Sequence, residues 1–308
     1  MPEPTTPTSL LIAPLPQLAV LRFDGADATD FLQGQLTQDL KTLAPNEARL
    51  AAYCTAKGRM LATLVIWRVH GAEPATYEAL VSADLADALA KRLRMFVLRA
   101  KVGITRSPRA VAGAWRLAEA PGLPAAWQVA DDADGVTWIG APAAPQAAAR
   151  GWRIGAADAP AVGEAAADAW LAQQIEAGLP WVDTAVQELL TPQMANLDLI
   201  GGVSFTKGCY PGQEVVARAH YRGKQKRRAL LGRAAPDAGA APAQDVYDAR
   251  QPGGEPIGRV INAAATAQAT VLLFEAPFEA AQTAQLRLGT PDGPAIALEP
   301  LPYALDPA

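Results

Sequence analysis

The sequence predicts an α+β fold followed by a small antiparallel C-terminal β-barrel, and three observations carry that expectation. Two apolar segments between Arg49 and Trp67 flank the turn Thr55-Ala56-Lys57-Gly58-Arg59, the pattern of a β-hairpin. Leu85, Leu89, Leu93 and Phe96 recur at helical spacing further on. After Arg228, short strand-like runs alternate with Gly- and Pro-bearing turns, and no helical pattern intervenes. Strands and helices in this order build an α+β layer rather than a doubly wound parallel sheet.

Leu18 to Phe23 reads as a first strand ending at Asp24-Gly25, after which Asp27 or Thr29 opens a short helix through Phe31 and Leu32. Ser82 is the expected N-cap of a helix over Ala83 to Met95, and Val97 to Thr105 returns as a strand. From Ala110 to Ala167 the chain is dominated by Ala, Gly and Pro, with Trp115, Trp127, Trp138 and Trp152 in short strand-like pieces. A helix is expected from Gly163 to Ala177, stopped by Gly178 with Pro180 beyond. Strand candidates then fall at 229–233, 244–247, 257–263, 270–274, 284–288 and 295–298. A charged stretch near Lys224 to Arg228 divides the chain into residues 1–225, an α+β part, and 226–308, the barrel.

Half the residues are apolar, enough to bury a full core, and the net charge is only -4. A chain this mildly acidic is no wholesale nucleic-acid coat, because such binding rests on many Lys and Arg contacts to phosphate. Met60 to Val69, the most apolar stretch, is too short to cross a bilayer, and Met1 to Ser9 carries no basic n-region, so a cytoplasmic, membrane-free protein is expected. Cys54 and Cys209 should both be free thiols in a reducing cytosol. No Cys-x-x-Cys or paired-His spacing offers a zinc site, and an iron–sulfur cluster would need ligands from outside the chain.

The least ordinary stretch is Gly201-Gly202-Val203-Ser204-Phe205-Thr206-Lys207-Gly208-Cys209-Tyr210-Pro211-Gly212-Gln213-Glu214. Two glycine clusters bracket a cysteine, so the backbone can bend sharply and approach a ligand. Cys209 stands just ahead of a helix start, where partial positive charge favours thiolate, and Lys207 is expected to add to that effect. A lone cysteine is most often a small buried hydrophobe, and this joint setting is what raises Cys209 above Cys54. Seven basic residues against the single acid Glu214 between Lys207 and Arg228 make a positive patch suited to an anionic small molecule or an RNA backbone. His220 is eleven residues from Cys209, a separation that fixes no geometry.

The string from Lys207 to Glu214 resembles the signature of the YgfZ family, which includes mitochondrial iron–sulfur assembly relatives. Gly34-Gln35-Leu36-Thr37, Ala56-Lys57-Gly58-Arg59, Ile175-Glu176-Ala177-Gly178, Pro192-Gln193, Asn196-Leu197 and Glu299-Pro300-Leu301-Pro302-Tyr303 also look like family positions. The family is similar in fold to the folate-binding aminomethyltransferase of glycine cleavage. The resemblance therefore implies two α+β subdomains plus a C-terminal barrel around a folate site, with tetrahydrofolate as cofactor.

The same resemblance implies roles for single residues. Glu176 looks like the family's pterin-recognising carboxylate, which can accept a ring N–H and an exocyclic amine as a bidentate pair. Trp170 resembles a folate-contacting Trp whose flat ring can stack on the ligand, and Tyr210 of the signature is a further expected contact. Another aromatic contact of the family falls on Leu18 here, which removes one stacking surface. Cys209 is the expected working group, with Lys207 lowering its pKa and Gly208, Gly212, Gln213 and Glu214 shaping and fixing the loop.

The leading expectation is an accessory protein that uses tetrahydrofolate to support assembly or repair of iron–sulfur enzymes, including those that modify tRNA. Its partners would be those enzymes or their assembly proteins. A folate-dependent one-carbon transferase is the alternative, and it requires a carboxylate near the reacting pterin nitrogen. Direct RNA binding through Arg218 to Arg228 is a third reading, short of stacking aromatics apart from Tyr221.

Overall fold

The computed structural model describes residues 10–116, 122–145, 147, 149–156, 166–222, 225–251 and 253–305. The chain begins with β1 (Leu11–Pro14), β2 (Leu18–Asp24) and α1 (Ala28–Gln33), which follows Asp27. The expected hairpin is β3 (Ala48–Cys54) and β4 (Met60–Arg68), and β5 (Tyr77–Ser82), α2 (Ala86–Arg94) and β6 (Gly103–Arg106) complete the first layer. Strands β2 to β6 form an antiparallel sheet in the order β3-β4-β5-β2-β6. Residues Met60 to Trp67 are all buried, so β4 is apolar along its length because both its faces are covered.

Two local expectations need correction. Ser82 does not cap α2: it ends β5, its hydroxyl donates to Asp84, and α2 begins three residues later than expected, at Ala86. Val97 to Val102 is turn rather than strand, and only Gly103 onward pairs with β2.

The Ala-, Gly- and Pro-rich region folds into β7 (Ala110–Arg116), β8 (Val129–Asp131), β9 (Thr137–Gly140) and β10 (Ala149–Gly155). With β1 they make a second antiparallel sheet, ordered β1-β7-β10-β9-β8. Small residues are required there because α3 (Ala166–Glu176) lies against the sheet: a Cβ on Gly113 would sit 2.3 Å from Cδ2 of Trp170. The helix ends as its sequence predicts, at Gly178 in the left-handed region (φ 65°). Its expected start at Gly163 lies outside the described residues.

After α4 (Gln213–Arg222) the chain forms β11 (Arg227–Ala234), β12 (Asp245–Asp248), β13 (Gly258–Ala265), β14 (Thr270–Pro277), the single turn α5 (Phe278–Ala281), β15 (Leu286–Leu288) and β16 (Ala297–Glu299). All six strand candidates are present, and α5 is a helical turn the sequence pattern did not show. Their order is β15-β12-β13-β14-β11-β16, a curled half-barrel rather than the closed barrel expected. Its edge strands β15 and β16 have three residues each and do not pair with each other; across the gap β15 bonds only to the stretch just before β16, through Leu288 N–H to the Pro294 carbonyl (2.9 Å) and Ile296 N–H to the Leu286 carbonyl (3.0 Å). Alternation along β11 joins the layers: Leu231 belongs to the large core shared with the first two sheets, and Leu230 to a second core inside the half-barrel. Among the described residues no helix is long and apolar enough to cross a membrane.

Candidate functional site

The loop carrying Cys209 is held by the sequence motifs that lie far from it along the chain. The hydroxyl of Thr37 donates to the Gly202 carbonyl (2.7 Å), the Gln38 amide to that of Gly201 (2.6 Å), and the Ser204 N–H to that of Thr37 (2.9 Å). On the far side Gln193 Nε2 donates to the Val216 carbonyl (2.6 Å). Gly212, at φ 82°, presses the loop onto the β3–β4 turn: a Cβ there would lie 2.4 Å from the Thr55 carbonyl oxygen and 2.7 Å from Gly58 Cα. Asn196 donates to the Ala229 carbonyl and to Tyr303, whose hydroxyl donates to the Gly178 carbonyl (2.8 Å). Strand ends and turns thus converge on the loop, and the C-terminal segment ties down the chain at Asn196, just before it.

Within it, neighbours in sequence face opposite ways. The Cys209 thiol and Gly208 are exposed, four and five residues ahead of α4. Lys207 is buried, and its ammonium donates to the carbonyls of Gln33 and Leu36. Burial pushes its pKa down to about 8, against the opposing field of Asp39. The expectation that Lys207 activates Cys209 is therefore corrected, because its charge is turned inward and spent on peptide carbonyls. Tyr210 is also buried; desolvation, with Cys54 adding to it, holds its phenol well above the usual tyrosine range. It is a packing residue under the loop rather than an exposed ligand contact. Cys54 is 1% exposed and burial pushes its thiol up to about 12, which makes it unreactive. Gln213 fastens the loop through its N–H to the Tyr210 carbonyl (3.1 Å). Glu214 is exposed, with no side-chain hydrogen bond or ion pair among the described residues.

Trp170 and Glu176 lie on α3, apart from the loop. Trp170 is fully buried, 6.2 Å from Trp115 and 6.0 Å from Trp152 between ring centroids, so it is a core residue and offers no open face for stacking. The guanidinium of Arg150, 2% exposed, lies 4.3 Å over its ring and donates to the Gln173 carbonyl (2.6 Å). Burial pushes Arg150 down to about 9, opposed by the charge of Glu176. Among the described residues Nε and Nη2 of Arg150 have no hydrogen-bond partner.

Glu176 accepts from Arg233 (2.9 Å) and lines a cavity of about 750 Å³ between α3 and the β13–β14 hairpin. Gln173, one turn earlier, lines the same cavity, and its Oε1 is buried without a partner. On the opposite side of α3, a cavity of about 450 Å³ is walled by Leu171 and Ile175 with Leu18, Asp84, Trp181 and Asp183. There Gln17 Nε2 and Trp181 Nε1 are buried donors without partners. Asp183 is raised above the ordinary carboxylate range by burial first and by Asp84 in addition. Sequence reasoning missed Gln173, Arg150, Arg233 and both aspartates. Nothing local marks them, since each matters only through what the fold places opposite it. Among the described residues no cluster of three or more His, Cys, Asp or Glu suits a metal ion.

No protein-family profile matches the chain. The crystal structure of glycine cleavage system aminomethyltransferase T from Bartonella henselae superposes with a TM-score of 0.71 over 97% of this chain and 87% of that one. At 16% identity that likeness establishes the aminomethyltransferase-like fold. In sequence the chain is 35% identical to tRNA-modifying protein YgfZ of Edwardsiella ictaluri (strain 93-146), over 73% of each chain. It is 34% identical to the Klebsiella pneumoniae (strain 342) protein of the same name, over 73% of this chain and 72% of that one. The match to the Enterobacter sp. (strain 638) protein is 30% identical but spans 96% of this chain and 94% of its relative, from the first sheet through the half-barrel, and by that extent the chain belongs to the YgfZ family.

Proposed function

We propose that this protein binds tetrahydrofolate and works as an accessory factor in tRNA modification, supporting the iron–sulfur enzymes involved through the exposed thiol of Cys209. Its relatives are named tRNA-modifying proteins, and its fold is that of an aminomethyltransferase. The observation that carries the folate reading is the pair of acceptors on α3. Glu176 and Gln173 line one wall of a roomy cavity, three residues apart on one helical face, and Gln173 Oε1 is itself buried with no hydrogen-bond partner among the described residues. A pterin presents a ring N–H and an exocyclic amine side by side, the complement of that wall. Arg233 holds the Glu176 carboxylate in place, and buried Arg150 adds a second positive charge beneath it. Bound tetrahydrofolate would supply a reduced pterin able to carry one-carbon units.

A transferase reading is favoured by the other cavity. Asp183 with Asp84 supplies the carboxylates such chemistry needs, and Gln17 Nε2 and Trp181 Nε1 await an acceptor. Calorimetric titration of reduced tetrahydrofolate, without oxygen, into the parent, Gln173→Leu and Asp183→Asn separates the two. Loss of about tenfold in affinity in Gln173→Leu alone supports the Glu176 wall. The same loss in Asp183→Asn alone moves the ligand and favours a transferase, whereas a parent that does not bind overturns the folate reading. Cys209→Ser should match the parent in stability within about 0.5 kcal/mol, being exposed, yet fail to rescue cells lacking the native protein. Full rescue would remove Cys209 from the function.

A further inference from the structure

Part of the positive patch expected from sequence is taken up by the fold. Of its seven basic residues, Lys207 is buried on carbonyls, Arg227 holds Glu275 with two hydrogen bonds (2.6 and 2.9 Å), and Arg228 is buried against Asp198 (2.7 Å). Arg218 and Lys226 are exposed and carry no ion pair among the described residues. Charge alone therefore makes a poor case for a polyanion.

The fold adds what the sequence lacked. Phe205, fifteen residues upstream, stacks on His220 with ring centroids 3.7 Å apart and planes 12° from parallel. Tyr221 stands edge-on to both, 6.2 Å from Phe205 and 4.9 Å from His220. Tyr221 is 67% exposed, so its ring is supported on one side by Phe205 and His220 and open to solvent elsewhere. Back along α4, Arg218 and Ala217 one turn away and Glu214 two turns away continue from Tyr221 as a shallow groove of about 320 Å³. At the other end of the helix, Lys57 is exposed in the turn that packs against Gly212 and Val215. The stack also closes the segment from Phe205 to His220 on itself, with exposed Cys209 inside it.

We propose that this outer face of α4 is a contact surface for single-stranded RNA, with Tyr221 as the stacking side chain and Arg218 as the phosphate contact. A base presents a π-face to Tyr221, and the adjoining phosphate presents negative charge to Arg218 one turn away. An acidic peptide would use the cation but has no need of an exposed, rigidly supported ring. Double-stranded nucleic acid has no free base face to offer. The surface places a bound strand within about 15 Å, the length of α4, of the Cys209 loop. This inference stands on α4 and does not need the folate reading, so failure of either leaves the other intact.

The test is fluorescence anisotropy of the full chain with a labelled 12-nucleotide single-stranded RNA of mixed sequence. The duplex of the same sequence and an unlabelled poly-glutamate peptide serve as competitors. Tyr221→Ala should weaken binding about tenfold and Tyr221→Phe should keep it within about twofold, since stacking needs the ring and not the hydroxyl. Arg218→Ala should reduce the salt dependence by about 0.7 in the log–log slope, one phosphate contact. Both side chains are exposed, so unfolding is no confounder and a thermal melt verifies this. No binding by the parent, full affinity in Tyr221→Ala, or equal competition by duplex or by poly-glutamate would each overturn the proposal.

Discussion

Between Lys207 and Cys209 the chain turns from inside to outside within two residues. The ammonium is buried against the carbonyls of Gln33 and Leu36, and the thiol is exposed. Lys207 is therefore a fastener of the loop to the end of α1. Lys207→Met should cost about 2 kcal/mol at neutral pH, because two buried carbonyls lose their donor. The pH dependence has a definite sign. With its folded pKa near 8 and an unfolded value of 10.5, Lys207 binds fewer protons in the folded state between those pH values. Stability contributed through this residue therefore rises with pH across that window, as the penalty on the buried charge is relieved. Urea titrations at pH 7.5 and 9.5 should show the parent gaining on Lys207→Met. A constant difference would mean that the charge is not penalised by burial.

Among the elements, α3 is central to the molecule because its three faces do different work. Trp170 fills the space that Gly113 leaves open in β7, Gln173 and Glu176 face one cavity, and Leu171 and Ile175 face the other. Arg150 beneath it is anomalous as a structural residue. A buried cation with two unpartnered nitrogens and one hydrogen bond stabilises little for its desolvation. Arg150→Met should leave the fold intact and raise stability by about 1 kcal/mol in urea unfolding. On the folate reading it should also weaken tetrahydrofolate binding, because the wall that carries Glu176 loses a positive charge beside it. A variant that is destabilised by several kcal/mol would show instead that Arg150 is an ordinary core residue.

At the scale of the whole molecule, the half-barrel leans on the rest of the chain. Leu231, Ile261, Val271 and Leu273 are part of the large core, and Asn262 exchanges two hydrogen bonds with the Trp181 backbone, both 2.8 Å. Arg228, expected in a charged linker, is a buried ion-pair partner of Asp198. A fragment of residues 226–308 should therefore show no cooperative urea transition on its own. It would expose the apolar face of β13 and β14 and leave Arg228 without its carboxylate. A sharp two-state transition in the fragment would mean that the second core, around Leu230, Val246 and Phe274, is sufficient.

Periodicity and punctuation were enough to place the hairpin at Arg49–Trp67, the end of α3 at Gly178 and the six C-terminal strands. Alternation and turn chemistry act over a few residues and need no partner. The Lys207–Glu214 string identified the family for the same reason, since a motif is local. What the sequence could not determine is which way a side chain points and what lies across from it. Ser82 reads as a cap but ends a strand, and Trp170 reads as a stacking surface but is enclosed by Trp115 and Trp152. Lys207 reads as an activator but is consumed by two carbonyls from α1 and the turn beyond it. The stack of Phe205 on His220 is invisible to any pattern of spacing, because a separation of fifteen positions along the chain imposes no distance. The sequence by itself determined the strands, the turns and the family motif around Cys209. Only the tertiary structure decided which of its polar and aromatic groups remain open to a ligand, since burial and pairing depend on contacts between residues distant in the chain.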